Sequence, residues 1–92
     1  MTAASKVARG VGNSLAVYAE RAQNSELWDV EGRRYVDFAS GIAVVNTGHV
    51  HPAVKAAMAA QLEKITHGCF QVTPYESYIE LAEALNALAP GS

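Results

Sequence analysis

Cysteine and charged residues are scarce in this sequence of 92 residues, and each shortage excludes a class of protein. The single cysteine, Cys69, excludes a framework of disulfides within the chain. Seven Lys and Arg residues against nine Asp and Glu give a net charge of −2, so the chain lacks the basic surface typical of nucleic-acid binding. The longest strongly apolar run, Ile42–Val45, is far shorter than a membrane-spanning helix. We therefore expect a soluble protein, and the absence of an apolar stretch in Met1–Gly10 favours the cytoplasm.

Hydrophobic residues, in contrast, are plentiful. They make up 50% of the chain, whereas charged residues make up 17%. Ordinary globular domains contain about 25% charged residues, and disordered tails have few apolar residues. A chain of this length buries only about 60–65% of the surface that its unfolded form exposes, so an independent fold would be marginal. The composition therefore predicts a segment that packs against further protein.

The clearest local pattern is a β-hairpin. Leu27–Val30 and Arg34–Phe38 are rich in aromatic and β-branched residues, which favour strands. Between them, Gly32 can adopt the positive φ that a tight turn requires. Because an isolated hairpin is barely stable in water, its apolar face needs a partner.

Less regular segments flank the hairpin. Residues 1–14 are small and polar and are predicted to form an irregular arm. Residues 15–23 fit either a strand or a short helix, and Asn24-Ser25 marks a turn. Beyond the hairpin, residues 39–51 contain a short apolar run between two glycines, which we interpret as an irregular, buried connection.

Two amphipathic helices complete the segment. Apolar side chains recur at the 3.6-residue helical period over residues 52–65, with Gly68 available as the C-cap. A second helix is predicted to run to about Leu88 from a capping box, in which Thr73 is the N-cap and Glu76 lies at the third helical position. The predicted fold class is α/β, with an α+β arrangement in this segment of a β-hairpin plus two amphipathic helices.

Side chains that carry catalytic chemistry do not form a complete set. Three histidines with one cysteine and no HExxH motif do not provide zinc ligands, so we predict no metal site and place His49 in a locally hydrogen-bonded turn and His51 at a helix start. Cys69 would need a base and an oriented partner to act as a nucleophile, and a small buried thiol is the better interpretation. Gly10-Val11-Gly12 lacks the third glycine of a dinucleotide fingerprint and is interpreted as a flexible loop.

Three motifs along the chain are nevertheless similar to those of one enzyme family. Leu27–Phe38 reads LWDVEGRRYVDF, Gly41–Pro52 reads GIAVVNTGHVHP, and a Tyr-containing helix follows the stretch His67–Val72. Together they resemble the opening hairpin and the region after it in class III aminotransferases. The stretch from His67 to Tyr78 resembles the branch of the family that acts on 4-aminobutyrate. The resemblance covers nearly the whole chain.

The resemblance implies a pyridoxal-phosphate-dependent enzyme of the type I fold that works as a homodimer. Residues 15–92 would be the N-terminal segment of the small domain, leading into a large domain beyond this sequence. The implied reaction moves the amino group of 4-aminobutyrate to 2-oxoglutarate and forms succinate semialdehyde and glutamate. The alternatives within the family are acetylornithine, ornithine and 5-aminovalerate as donors. An alternative of another class is a non-enzymatic interaction module.

The family's chemistry depends on residues that are not expected in this segment. The Schiff-base lysine, the acid against the pyridinium nitrogen and the phosphate-binding turn come later in the family. Lys6, Lys55 and Lys64 are predicted to lie in the arm or on the outer side of a helix. We therefore expect no catalytic or cofactor-binding residue here and no activity from the segment alone. By resemblance, Ile42 packs against the substrate's methylene chain and Gln71 lies near the substrate-binding end of the cleft. The residues alone leave open a core position for Ile42 and a loop hydrogen bond for Gln71.

Overall fold

The computed structural model describes residues 6–91, which fall into two compact units, Met1–Val54 and Lys55–Ser92. Residues 1–5 of the predicted arm and Ser92 lie outside the described residues. The first unit contains three short strands and a four-residue helical turn: β1 (Ala19–Gln23), β2 (Glu26–Asp29), β3 (Arg34–Val36) and α1 (Ser40–Ala43). Two further helices follow, α2 (Pro52–Leu62) and α3 (Glu76–Leu88).

The three strands form an antiparallel sheet in the order β1-β2-β3. β2 and β3 are the predicted hairpin, with β2 one residue earlier than predicted and β3 two residues shorter, and Gly32 has the positive φ expected of it, +81°. Residues 19–23 form a strand rather than a helix because β1 pairs with β2. Across that pair, the Arg21 guanidinium lies 3.7 Å from the centre of the Trp28 ring, a cation–π contact that adds to the backbone ladder.

Helix α2 forms where the apolar period predicted it but ends earlier. It stops at Leu62 rather than at residue 65, and Gly68 lies outside the left-handed region, so the predicted C-cap is wrong. Gln61 closes the helix instead, since its carbonyl accepts from the Ile65 N–H and its side-chain Nε2 donates to the Ile65 carbonyl at 2.9 Å. The apolar period cannot predict this helix end, because the end depends on a hydrogen bond from the Gln61 side chain.

Helix α3 ends at Leu88, as predicted, but begins later than expected. Its N-cap is Tyr75, which is extended and makes no side-chain cap hydrogen bond. Glu76 is therefore the first helical residue, and the predicted capping box from Thr73 is wrong. At that position the Glu76 carboxylate still interacts favourably with the positive end of the helix dipole. Within residues 6–91, no helix has the length and apolar character needed to cross a bilayer.

Within residues 6–91, neither unit has an apolar core of its own. Among the described residues no hydrophobic side chain is buried, and the buried position is a carboxylate, Asp29. The apolar run within residues 39–51, predicted to be buried, is open to solvent, with Val44 74% exposed, and Cys69 is exposed rather than buried. So much apolar surface fits the prediction from composition that the segment packs against further protein.

Candidate functional site

The turn between β2 and β3 is organised around the carboxylate of Asp29. It accepts hydrogen bonds from the backbone N–H groups of Glu31 and Arg33 and from Arg33 Nε, each at 2.9 Å, and from the Tyr35 hydroxyl at 3.0 Å. Burial raises the pKa of this carboxyl, but the hydrogen bonds, led by the Arg33 side chain, outweigh burial and lower the pKa from 3.8 to about 2. Four donors occupy about four lone-pair sites, so Asp29 stabilises the hairpin and has no free acceptor for a ligand.

A second carboxylate, Asp37, joins segments that are separated in the sequence. Its Oδ1 accepts from the backbone N–H groups of Ala39 and Ser40, both at 3.0 Å, and its Oδ2 lies 2.5 Å from His49 Nε2. Both side chains of this pair are shielded, Asp37 being 13% and His49 21% exposed. The hydrogen bond from His49, followed by that from the Ser40 backbone, lowers the pKa of Asp37, so an ionised carboxylate accepts an imidazole N–H. We refer to Asp37 and His49 as the Asp–His clamp.

The backbone around the clamp is held independently of these two side chains. His49 and Asn24 exchange two backbone hydrogen bonds of 2.9 Å in an isolated antiparallel bridge. Gly48 has a φ of +89°, and a Cβ there would lie 2.7 Å from Asn24 Oδ1. The Asp37 N–H donates to the Ser25 carbonyl at 2.8 Å. Both clamp residues are thus attached to the turn between β1 and β2.

Between the clamp residues, the four residues of α1 all adopt left-handed backbone conformations. The φ angles are +50° at Ser40, +62° at Gly41, +60° at Ile42 and +60° at Ala43. Glycine adopts this region readily, whereas a β-branched residue such as Ile42 is a genuine outlier there. The N–H groups of Val44 and Val45 close the turn on the Ser40 carbonyl, at 2.9 and 3.1 Å. We refer to residues 40–43 as the left-handed turn.

Ile42, the first of the two predicted substrate-binding residues, lies in this left-handed turn. Its side chain is 91% exposed, as are many apolar side chains of the described residues. Backbone strain of this kind persists only where the surroundings maintain it, and it is concentrated at ligand-binding and active sites. Asp37 and His49 were not predicted as functional residues, because a spacing of 12 residues indicates no contact between two side chains.

Gln71, the second predicted substrate-binding residue, belongs to the other unit. It is exposed and lies in a turn closed by the Val72 and Thr73 N–H groups on the Cys69 carbonyl, both at 3.0 Å. The neighbouring Phe70 stacks on Tyr78, with ring centroids 4.1 Å apart, and meets Tyr75 edge-on at 5.8 Å. These aromatic contacts fix the turn that carries Gln71.

The remaining histidine predictions have mixed outcomes. His51 stands at the start of α2, as predicted, and its Nδ1 accepts from the Ala53 N–H at 3.2 Å. His49 lies in the isolated bridge with Asn24 rather than in the predicted turn, and its ring binds Asp37 rather than a local group. In the part of the chain that the structure describes, no three His, Cys, Asp or Glu side chains converge as metal ligands do.

Comparison with known proteins identifies the family. The sequence matches the family described as aminotransferase class-III over residues 6–92. It is 58% identical over 85 residues to the 4-aminobutyrate aminotransferase of Escherichia coli (strain K12) and 62% identical over 85 residues to the 5-aminovalerate aminotransferase of Pseudomonas aeruginosa. The structure resembles the acetylornithine aminotransferase from Elizabethkingia anophelis, with a TM-score of 0.83 and 28% identity over 94% of this chain and 22% of that chain. This chain belongs to the class-III aminotransferases.

The match confirms the resemblance of the three sequence motifs and assigns the chain to a family of pyridoxal-phosphate-dependent enzymes. Each of the two alignments with sequence relatives covers 92% of this chain but only 20% of the relative, so the chain spans about a fifth of their length. A lysine that forms a Schiff base is activated in a desolvated or electrostatically tuned site. Lys6, Lys55 and Lys64 are all exposed. The described residues therefore do not form a site that fits the cofactor.

Proposed function

We propose that this chain is the N-terminal segment of an enzyme that moves the amino group of 4-aminobutyrate to 2-oxoglutarate, forming succinate semialdehyde and glutamate. The observation that carries this proposal is the 58% identity over 85 residues to a 4-aminobutyrate aminotransferase. The complete enzyme would be a cytoplasmic homodimer that binds pyridoxal phosphate. Residues 15–92 would belong to its small domain, and the segment alone would be inactive because the Schiff-base lysine would lie outside it.

In this proposal the segment supplies one wall of the substrate site. Ile42 provides an apolar surface for the donor's methylene groups, which is consistent with its 91% exposure and its strained backbone. Gln71 lies near the substrate-binding end of the cleft, where its amide can donate to an oxygen of the substrate. The Asp29 network does not take part, since its acceptors are already satisfied by the hairpin.

A second donor, 5-aminovalerate, is favoured by the 62% identity over 85 residues to a 5-aminovalerate aminotransferase. It is one methylene longer than 4-aminobutyrate and carries the same two functional groups. One methylene in an apolar pocket changes transition-state binding by only about 1–3 kcal/mol. A single site of this kind therefore accepts both donors and prefers one of them by a measurable ratio.

A donor series on the complete protein tests the proposal. The rate of glutamate formation from 2-oxoglutarate is measured with 4-aminobutyrate, 5-aminovalerate, acetylornithine and ornithine, and kcat/KM values are compared. The expected result is the highest kcat/KM with 4-aminobutyrate. A higher value with 5-aminovalerate would establish the second candidate instead, and no glutamate from any of the four donors would overturn both.

The alternative of a non-enzymatic interaction module predicts that this chain folds by itself. No hydrophobic side chain is buried among the described residues, which favours a segment of a larger fold. Thermal unfolding of the 92-residue chain, followed by circular dichroism, separates the two ideas. A sharp cooperative transition in a monomer would support the module, whereas a broad, gradual change would support the segment.

A further inference from the structure

The left-handed turn is disfavoured by its own backbone, so the surrounding chain must stabilise it. Ser40, Ile42 and Ala43 have φ angles between +50° and +60°. For each non-glycine residue, the left-handed conformation is disfavoured by roughly 5- to 30-fold relative to the right-handed one. Without a restraint, these residues would relax and Ile42 would move.

Asp37 opposes this relaxation at the point where the chain enters the turn. Ala39 is right-handed, with a φ of −74°, and Ser40 is left-handed, so the backbone reverses its sign between them. Asp37 Oδ1 binds the N–H groups of both residues at 3.0 Å. Hydrogen bonds to an ionised acceptor are about twice as strong as neutral ones. The carboxylate therefore restrains the two peptide units that define the entry to the turn.

His49, which follows the left-handed turn in the sequence, holds the Asp37 carboxylate in place. Its Nε2 lies 2.5 Å from Asp37 Oδ2, and its backbone is paired with Asn24. The two side chains bind each other through His49 Nε2 and Asp37 Oδ2 and are largely shielded from solvent. Their influence on a substrate passes through the residues that they hold.

We propose that Asp37 and His49 are positioning residues for the amino donor. By keeping the left-handed turn in place, they determine where Ile42 stands against the donor's methylene chain, and so they help to set the preference between four-carbon and five-carbon donors. This inference rests on the proposed function, in which Ile42 contacts the donor.

The first test replaces the clamp residues in the complete protein and measures kcat and KM for 4-aminobutyrate and 5-aminovalerate. Asp37→Ala removes three hydrogen bonds and is expected to lower kcat/KM for 4-aminobutyrate by roughly 10- to 100-fold, because a displacement of about 1 Å has effects of this size. The ratio of the two donors is expected to change as well. His49→Ala should act in the same direction. His49→Gln, which retains an N–H donor near the position of Nε2, should retain most of the activity.

A pair of glycine substitutions separates positioning from general destabilisation. Ala43 has a φ of +60° and Ala39 a φ of −74°, so the same chemical change relieves strain only at Ala43. In the Asp37→Ala background, Ala43→Gly is expected to restore kcat/KM by roughly 5-fold. Ala39→Gly is expected to restore none of it.

Several results would overturn the inference. One is that kcat and the donor ratio of both Asp37→Ala and His49→Ala stay within about twofold of the parent values. Another is that Ala43→Gly and Ala39→Gly have equal effects on kcat/KM. Should Asp37→Ala fail to fold, Asp37→Asn tests the charge and the contact with His49, because its amide oxygen still accepts from the Ala39 and Ser40 N–H groups while its NH₂ group faces His49.

An Ile42→Ala variant shows which proposal has failed. If Ile42→Ala changes the donor ratio and the clamp variants do not, the proposed function stands and the positioning role falls. If the donor ratio is unchanged in Ile42→Ala, Ile42 does not contact the donor and the inference falls with it. If the unaltered protein forms no glutamate from either donor, the proposed function itself has failed.

Discussion

Residues up to Val54 and residues from Lys55 onward maintain their local structure by different interactions. In the first unit, polar side chains organise the turns, with Asp29 inside the hairpin and the Asp–His clamp beside the left-handed turn. In the second unit, regular backbone hydrogen bonds form the helices, and the rings of Tyr75 and Tyr78 pack against Phe70. The first unit depends on contacts between distant positions in the sequence, whereas the second depends mainly on near neighbours.

Both units expose large apolar side chains. Phe38 in the first unit is 93% exposed and Leu88 in the second is 83% exposed. Burying such a side chain contributes about 1.5–3 kcal/mol, so contact with further protein would stabilise either unit. Local hydrogen bonds thus define the conformation of each unit although its apolar side chains remain exposed.

The largest expected effect tests the long-range contact of the first unit. Gly48→Ala should destabilise the complete protein by roughly 3 kcal/mol, because alanine is strained at a φ of +89° and its Cβ would lie 2.7 Å from Asn24 Oδ1. The matched control is Gly12→Ala, where a Cβ meets nothing within 4 Å, with an expected change within about 0.5 kcal/mol. Thermal unfolding measures both. Equal effects would mean that the Asn24–His49 bridge contributes little.

A smaller effect is expected from the hairpin carboxylate. Asp29→Asn should lower the apparent melting temperature by about 5 °C, because an amide N–H₂ then faces the Arg33 Nε–H and Tyr35 O–H donors. The neighbouring Glu31→Gln is the control, since Glu31 makes only an exposed ion pair with Arg33, and it should change the melting temperature by about 1 °C or less.

The effect of Asp29→Asn should depend on pH with a defined sign. The pKa of Asp29 is lowered from 3.8 to about 2, so its ionised form stabilises the fold above pH 3.8, and this contribution is lost as the pH falls toward about 2. The melting-temperature difference between the parent and Asp29→Asn should therefore stay constant above about pH 5 and shrink below about pH 4. A difference that persisted unchanged at about pH 2 would contradict the assigned pKa.

Substitutions in the aromatic cluster of the second unit should reduce stability less than Gly48→Ala does. Phe70→Leu removes a ring stack on Tyr78 and an edge contact with Tyr75, and we expect a destabilisation of about 1 kcal/mol. Tyr78→Phe keeps the stack and loses only the hydroxyl, so it should be close to neutral in the same thermal measurement. If Phe70→Leu were as damaging as Gly48→Ala, the contrast between the two units would not hold.

The smallest expected effect has the opposite sign. Ala43→Gly in the otherwise unaltered protein should raise stability by about 0.5–1 kcal/mol, because glycine relieves the left-handed strain. Ala39→Gly, at a right-handed position of the same loop, should be neutral or slightly destabilising. A stabilisation at both positions would indicate that the turn is not strained.

Much of the fold could be predicted from short-range patterns. Alternating strand residues on either side of Gly32 and the apolar period of α2 and α3 depend on neighbours a few residues apart, which the sequence displays directly. Helix ends were predicted less well, since Gln61 and Tyr75 rather than Gly68 and Thr73 mark them. Those ends depend on side-chain and backbone choices with several nearly equal solutions.

Part of the candidate site could likewise be predicted from the sequence, and part could not. The motifs around Ile42 were sufficient to identify the class-III aminotransferases, and this identification is confirmed, while the contacts of Ile42 and Gln71 with a substrate remain proposals. Asp37 and His49 lie within the family motifs, but their contact had no signal in the sequence, because a carboxylate and an imidazole 12 residues apart meet only if the intervening chain turns back.

By itself, then, the sequence determined the hairpin, the two helices and the family, since repeating side-chain patterns and linked motifs are local properties of the chain. Only the tertiary structure decided that residues 40–43 are left-handed and that Asp37 binds His49. Intrinsic preference disfavours a left-handed isoleucine, so this conformation requires restraints from distant residues. The bridge between Asn24 and His49 and the carboxylate of Asp37 supply those restraints.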